Sequence, residues 1–213
     1  DGPRYAAVSL NNRTPAPRTG VILPAELRMT AKVFSFELFP PQTPEGIEKL
    51  RLTRRQLAQL KPAYFSVTYG AGGTTRERTL GVALEVQQEG QQVAPHLSCV
   101  ASTQTSIREI LQQYRGASIG RIVALRGDLP SGLAEAGEFR YASDLVAFVR
   151  RECGDDMHIE VAAYPEYHPQ ARSAREDLAN FKRKVDAGAN GAITQYFFNP
   201  DAFFAFVDEC EAM

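Results

Sequence analysis

The sequence of 213 residues contains no tryptophan and only three cysteines, three methionines and three histidines. The cysteines, Cys99, Cys153 and Cys210, lie far apart and form no C-x-x-C pair, which excludes a disulfide framework and a zinc motif and favours a reducing compartment. No apolar run approaches the roughly 20 residues of a membrane-spanning helix. The first residues lack the basic-then-apolar order of a signal peptide. We therefore expect a cytoplasmic protein with neither a membrane span nor a metal site.

The charges nearly cancel, with 24 Lys and Arg against 25 Asp and Glu. This balance gives no basic surface for nucleic acid or for an anionic membrane. The hydrophobic fraction of 44% suits a globular protein with a sizeable core. Residues 1–32 are rich in Pro, Arg, Asn and Gly without a clear period, so we expect a loosely ordered extension before a domain over residues 33–213.

Short apolar runs recur about every 30 residues, and each is followed by a segment with helical spacing. The predicted strands are Phe34–Leu38, Ala63–Thr68, Val93–Val100, Ile122–Leu125, His158–Ala163 and Gly191–Gln195. Such regular alternation indicates a parallel sheet joined by right-handed helical crossovers.

Several helix ends can also be predicted. Thr43 has the chemistry of an N-cap, and Ser106 with Glu109 fits a capping box. Gly188 is placed to close a helix over Ser173–Ala187 with a left-handed residue, and Asn199 precedes the last helix.

Polar residues cluster where these strands end, most clearly in RIVALRGDLP, an apolar strand that runs directly into Arg126, Gly127 and Asp128. A site assembled from many strand ends is typical of a (β/α)8 barrel, whereas a doubly wound sheet concentrates its site at one switch point. Six units are predicted where eight close a barrel of about 250 residues, so we expect two further units downstream.

The loop after the second strand invites comparison with a dinucleotide-binding fingerprint. The pattern G-x-G-x-x-G fails because Thr75 stands where the third glycine belongs. We therefore reject a Rossmann site.

The motifs FSFELFPP, YFSVTYGAGG, APHLSC, IVALRGD, VAAYPEYHP and NFKRKVDAGANGAITQYFF, in this order, resemble methylenetetrahydrofolate reductase of the bacterial type from about Val33 to Met213. The resemblance implies a (β/α)8 barrel that holds FAD at the strand carboxyl ends. It implies a ping-pong reduction of 5,10-methylenetetrahydrofolate to 5-methyltetrahydrofolate by NADH or NADPH, in one-carbon metabolism and methionine supply. It also implies a homo-oligomer.

The resemblance assigns roles to individual residues. Glu37 matches the general acid, Asp128 matches a residue that reaches both flavin and the folate pterin, and Gln195 matches a residue shared by folate and nicotinamide. The further residues that match FAD contacts, some of them also near the nicotinamide, are Thr68, Tyr69, Gly70, Ala71, His96, Arg126, Gly127, Tyr141, Ala142, Tyr164, His168, Ala171, Asp177, Asn180, Arg183 and Lys184.

Residue chemistry agrees with these roles. Opening the methylene bridge requires a proton on the departing nitrogen, and apolar surroundings such as Phe36 and Phe39 would keep Glu37 protonated near neutral pH. An ionised Asp128 would stabilise the iminium charge that develops. Arg183 and Lys184, like Arg126, suit the FAD pyrophosphate.

Simpler interpretations remain open for several of these residues. Glu37 alone fits a solvated strand end, His96 fits a hydrogen-bonded core histidine, and Arg183 with Lys184 fits a solvated helix face. At the level of function, the alternatives are a non-catalytic flavin-binding fragment and a related flavin barrel dehydrogenase acting on an amine or imino acid. Reoxidation of the flavin by folate separates the reductase from both.

Overall fold

The structure, a computed structural model, describes residues 5–8, 33–69, 75–128 and 137–213. Its strands are β1 Tyr5–Val8, β2 Phe36–Leu38, β3 Phe65–Val67, β4 Val93–Ser98, β5 Arg121–Leu125, β6 His158–Ala163 and β7 Gly191–Gln195. Its helices are α1 Pro44–Ala58, α2 Thr75–Gln88, α3 Gln104–Gly116, α4 Ala142–Cys153, α5 Ala174–Asp186 and α6 Pro200–Glu211.

The seven strands form one sheet in the order β1-β7-β6-β5-β4-β3-β2. Strands β2 to β7 run parallel, and each follows the previous one in both sequence and space. The predicted alternation of strand and helix is confirmed, and the six parallel strands form a curled half-barrel. Closure by eight units stays a prediction.

Strand β1 has no counterpart in the sequence prediction. It pairs antiparallel with β7, with Tyr5 opposite Gln195 and Val8 opposite Ala192. The segment YAAV is too short for its period to be recognised, and its partner lies far away in sequence. The remainder of residues 1–32 lies outside the described residues, so the loose extension there stays a prediction.

The two faces of the sheet have different contents because successive strand side chains point to opposite sides. The convex face carries the main core, where residues such as Phe65, Leu97 and Ile159 are fully buried beneath the helices. The concave face carries only a small apolar cluster built around Tyr64, Val123 and other residues. Its remaining positions are available for polar side chains.

Helix termini agree with the sequence at most ends. The Thr43 side chain accepts from the Gly46 N–H at 3.1 Å, as an N-cap should. Gly188 follows α5 with a φ of +111°, and the next N–H donates to the Lys184 carbonyl, which closes the helix in a Schellman motif. The capping box predicted for Ser106 and Glu109 was wrong.

In the structure that box starts three residues earlier, at Thr103, and Ser106 is its second member. Thr103 and Ser106 cap each other reciprocally at 3.1 Å. Thr103 lacks the Glu or Gln that the pattern expects three residues later, and the Ser106 hydroxyl takes that role instead. Glu109, which is not part of the box, lies 3.9 Å from Arg76.

Candidate active site

The concave face brings several polar side chains together towards the carboxyl ends of the strands. Glu37 lies opposite Ser66 in the register of β2 and β3, and His96 and Ser98 occupy the same face of β4. Ser66, His96 and Ser98 are each at most 6% exposed. A curled parallel sheet gathers such positions into one concavity, which is where this architecture places its chemistry.

Glu37 is a carboxyl group in a largely dry position. Its side chain is 18% exposed, and burial raises its pKa to about 7. The phenylalanines next to it in sequence are not the cause. Phe36 packs on the convex side against Phe65, and Phe39 is 53% exposed. Burial on the concave face produces the shift instead.

His96 faces this carboxyl group. Its Nε2 atom lies 3.5 Å from Glu37 Oε2, is buried, and has no hydrogen-bond partner among the described residues. Burial lowers the pKa of His96 to about 4. An ion pair would lower the Glu37 pKa and raise that of His96, whereas both shifts run the other way. Desolvation therefore outweighs attraction, and between these pKa values both groups are neutral.

The turn after β5 is held by the neighbouring strand. The Ser98 hydroxyl donates to the Arg126 carbonyl at 3.0 Å, and the Val100 N–H donates to the same oxygen at 2.8 Å. Gly127 has a φ of +82°, and a Cβ there would lie 2.0 Å from Ser98 Oγ. Glycine fits here because its backbone has a positive φ and lies directly against the Ser98 side chain.

The side chains of this turn have different environments. Arg126 Nη2 donates to Gln170 Oε1 at 2.8 Å, which links the turn to the loop after β6. Asp128 is exposed, and no hydrogen bond or ion pair joins it to a described residue. The structure therefore fixes the guanidinium of Arg126 and leaves the carboxylate of Asp128 accessible.

The residues after β3 are only partly described. The Thr68 N–H donates to the Leu38 carbonyl at 2.9 Å, and the Thr68 carbonyl accepts from Thr79 Oγ1 at 2.9 Å. Tyr69 is partly buried, and burial raises the pKa of its hydroxyl. The predicted contacts Gly70 and Ala71 lie outside the described residues.

The loop after β6 is tied to helix α5. The rings of Tyr164 and His168 meet edge to face at 4.6 Å, and the His168 N–H donates to Asp177 Oδ2 at 2.9 Å. His168 Nδ1 accepts from the Gln170 N–H at 3.0 Å, and Ala171 donates to the His168 carbonyl at 2.8 Å. These contacts place four of the predicted residues, Tyr164, His168, Ala171 and Asp177, in one connected group.

Helix α5 presents further predicted residues. The Asn180 side chain accepts from Arg183 Nη1, and the exposed Arg183 reaches into solvent. Lys184 Nζ donates to the Ala162 carbonyl, and burial lowers the Lys184 pKa to about 8 although Asp177 opposes the shift. Lys184 is thus a partly buried ammonium whose contact is with the backbone of β6, and not a fully solvated surface residue.

Three predicted residues lie at the edges of this arrangement. Tyr141 is 50% exposed and caps α4, which begins at Ala142. Gln195 ends β7, and its side chain accepts from the Tyr196 N–H at 3.0 Å. No described contact joins these residues to Glu37.

A second polar group on the concave face was missed by the sequence analysis. Glu160, 3% exposed, accepts from Arg121 Nη1 at 2.6 Å and lies 2.9 Å from His158 Nε2. Arg121 also covers the Tyr64 ring at 4.7 Å, and a Cβ at Gly191 would lie 2.2 Å from Glu160 Oε2. The alternation in HIEVAA places His158 and Glu160 on one face, which was the available signal.

None of the helices formed by the described residues is long and apolar enough to cross a membrane. No group of three or more His, Cys, Asp or Glu side chains among the described residues is arranged to hold a metal ion.

Comparison with known sequences gives consistent matches. The family model described as methylenetetrahydrofolate reductase matches residues 23–213. The 5,10-methylenetetrahydrofolate reductases of Pectobacterium carotovorum and Escherichia coli are each 47% identical, over 88% and 83% of this chain. Methylenetetrahydrofolate reductase (NADH) 1 of Arabidopsis thaliana is 38% identical over 83% of this chain and 32% of its own length. The chain spans 62% and 58% of the two bacterial relatives.

Solved structures match at low sequence identity. A 2,3-dimethylmalate lyase of the PEP mutase/isocitrate lyase superfamily has a TM-score of 0.57 at 10% identity, covering 83% of this chain and 62% of that one. A Clostridium thermocellum protein that binds two copies of 5-methyl-5,6,7,8-tetrahydrofolic acid has a TM-score of 0.54 at 13% identity, covering 83% and 59%. At these identities the likeness concerns the fold alone.

Proposed function

The chain belongs to the methylenetetrahydrofolate reductase family, and from this membership we propose that the protein reduces 5,10-methylenetetrahydrofolate to 5-methyltetrahydrofolate with NADH or NADPH through bound FAD. The observation that carries the proposal is the state of Glu37. A carboxyl group with a pKa near 7 on the concave face, towards the carboxyl ends of the strands, is a proton donor matched to neutral pH.

The names of the relatives support this reaction. Bacterial proteins 47% identical to the chain are named 5,10-methylenetetrahydrofolate reductase, and the Arabidopsis relative carries NADH in its name. The chain spans about six tenths of the length of these bacterial relatives. The choice between NADH and NADPH stays open.

The described residues fit a flavin dinucleotide. The close approach of Gly127 to Ser98 shapes a turn in which backbone and ligand can come near each other. Arg126, fixed by Gln170, and the partly buried ammonium of Lys184 supply cations of the kind that bind a pyrophosphate. We assign the binding of FAD to these residues, together with His168 and the other predicted contacts. When bound, FAD would carry hydride between the nicotinamide and the folate.

Glu37 supplies the proton that opens the folate ring. The methylene bridge accepts hydride only after its five-membered ring has opened to an iminium cation, and the departing nitrogen must be protonated for that step. With a pKa of about 7, Glu37 still carries its proton in a large fraction of molecules near pH 7 and can release it in the reaction. The surrounding burial also keeps bulk water from quenching the cation.

Asp128 and Gln195 have the complementary roles. The exposed carboxylate of Asp128 follows β5 directly and is accessible to a pterin ring. A negative charge beside the iminium stabilises it as it forms. Gln195 ends β7 and offers an amide that can donate and accept at the folate.

One specific observation favours a second candidate function. Arg126 and Lys184 would hold a flavin pyrophosphate whether or not folate is reduced. That function is a flavin-binding domain without reductase activity.

Visible spectroscopy of the purified protein under anaerobic conditions separates the candidates. A yellow protein that loses its absorbance with NADH and regains it with methylenetetrahydrofolate supports the reductase. A yellow protein that stays bleached supports the flavin-binding domain. A protein that takes up no FAD contradicts both.

The variant Glu37→Gln tests the acid directly. We expect it to retain FAD and to be reduced by NADH at the normal rate, because neither step uses the carboxyl proton. Folate-dependent reoxidation should fall by about 10²- to 10⁴-fold, the usual contribution of general acid catalysis. The matched control is Glu77→Gln, an exposed glutamate of α2, which should reoxidise normally. Normal reoxidation in Glu37→Gln would exclude Glu37 as the acid.

A further inference from the structure

The buried imidazole of His96 has an acceptor atom that the fold leaves unused. Its Nε2 atom has no hydrogen-bond partner among the described residues and lies 3.5 Å from Glu37 Oε2. A buried polar atom without a partner costs about 1–3 kcal/mol, so an unused one next to a functional carboxyl requires an explanation.

We infer that Nε2 of His96 accepts a hydrogen bond from the protonated carboxyl of Glu37, and that His96 is a positioning residue which keeps the acidic proton on Glu37 and fixes its direction. The inference rests on the proposed role of Glu37 as the acid. It assigns His96 a role beyond the flavin contact implied by the family resemblance. A small rotation of the carboxyl group closes the 3.5 Å gap to the usual hydrogen-bond length of about 2.8 Å.

The arrangement of charge on the concave face favours this neutral pair over an ion pair. Moving the proton from Glu37 to His96 would create two charges in a dry position without changing the number of protons. Burial alone shifts both pKa values against that transfer. His96 therefore acts as an acceptor and does not take over the proton that Glu37 must deliver.

The other titratable groups around the concave face make no hydrogen bond to Glu37 among the described residues. The Tyr64 ring lies under Arg121 at 4.7 Å, and burial, with a smaller contribution from Glu37, raises the pKa of its hydroxyl. Arg121 and His158 pair with Glu160, and Lys184 of α5 donates to the Ala162 carbonyl and lies against the Phe181 ring of the convex core. Among these described groups, His96 is the one whose acceptor points at the carboxyl.

The test follows the protonation of Glu37 itself in the purified protein. Protonated carboxyl groups have a distinct infrared carbonyl band, and the band of Glu37 is identified by its loss in Glu37→Gln. Its midpoint in the unchanged protein should lie near pH 7. In His96→Phe, which keeps the site filled and removes the acceptor, the midpoint should fall by about one pH unit, the equivalent of one hydrogen bond.

His96→Gln is the conservative comparison, because its amide oxygen can accept near the position of Nε2. The pH midpoint of the Glu37 band in His96→Gln should return most of the way to its value in the unchanged protein. An unchanged midpoint in His96→Phe, or equal midpoints in the Phe and Gln variants, would overturn the inference. If His96→Phe does not fold, the ¹⁵N resonance of Nε2 in the unchanged protein decides. At pH 6 an unprotonated, hydrogen-bonded Nε2 supports the inference, and an Nε2 that carries a proton contradicts it.

These measurements do not require folate turnover, so failure of the proposed reaction and failure of this inference give different results. Where turnover is present, the alkaline limb of folate-dependent reoxidation should move to lower pH by about one unit in His96→Phe, the same hydrogen-bond equivalent. A residue that only supported the fold would not move that limb.

Discussion

Two glutamates on the concave face of the sheet have opposite surroundings. Glu160 lies between Arg121 at 2.6 Å and His158 at 2.9 Å, near the amino ends of β5 and β6. Glu37 lies towards the carboxyl ends, with neutral His96 as its ionisable neighbour and no cation in contact among the described residues. The side chains are 4% and 18% exposed, so both are largely removed from water.

The difference shows that the partner, and not burial alone, decides what a buried carboxyl group does. A guanidinium in contact stabilises the carboxylate and makes Glu160 part of the fold. Without a cation, burial favours the neutral acid, and the pKa of Glu37 rises to about 7. At one end of the concave face the paired Glu160 therefore stabilises the fold, and at the other end the unpaired Glu37 can donate a proton.

The difference between the two glutamates is tested most directly by removing the carboxylate of Glu160. Glu160→Ala should lower the free energy of unfolding by about 3 kcal/mol, because Arg121 and His158 lose a buried partner. The value lies at the low end for buried pairs because the side chains of Arg121 and His158 are 31% and 29% exposed, so water can partly solvate them. Urea denaturation at pH 7 measures the change.

A surface ion pair is the matched control. Glu152 pairs with Arg108 at 2.8 Å on the outer face, where the side chains are 21% and 40% exposed. Glu152→Ala should cost at most about 1 kcal/mol. Equal losses in the two alanine variants would show that Glu160 is not a structural centre.

The second prediction concerns stability at the unpaired end. Glu37 has a pKa of about 7 in the folded protein against 4.5 for the ordinary group, so its ionisation costs stability as the pH rises from 4.5 through 7. Glu37→Gln removes this titration. Relative to the unchanged protein, it should gain about 2 kcal/mol between pH 4 and pH 8, less than the full shift implies because the side chain is partly solvated.

Urea denaturation of both proteins at a series of pH values gives the comparison. The gain should be absent below pH 4.5, where Glu37 is protonated in both the folded and the unfolded state. A constant difference between the two proteins across the whole range would mean that burial does not raise the Glu37 pKa.

Local and periodic features of the fold could be read from the sequence. Thr43 caps its helix, and Gly188 closes another, because each depends only on residues within one turn. The capping box lies three residues earlier than predicted because its second member is Ser106 and not a Glu or Gln. Strand β1 was not predicted because its four residues are too few to show a period.

The candidate site could be predicted in part. Motifs identified the family, and the position of Glu37 at the carboxyl end of a predicted strand identified it as a candidate carboxyl group. The alternation of strand side chains also places Phe36 on the face opposite Glu37. The motifs could not reveal that His96 Nε2 faces Glu37 or that Arg121 pairs with Glu160. Such facts depend on which residues of distant strands meet, and register alone decides that.

The smallest loss of stability is expected when His158, one of the two partners of Glu160, is replaced. Replacing His158 by glutamine keeps a donor near the position of Nε2 and leaves Arg121 in place, so the loss of stability should be about 0.5 kcal/mol. Arg121→Gln removes the cation at 2.6 Å and should cost several times more. Urea denaturation of the two variants at pH 7 gives the ratio. If His158→Gln costs as much as Arg121→Gln, the guanidinium is not what separates Glu160 from Glu37, and the contrast between the two ends must rest on burial instead.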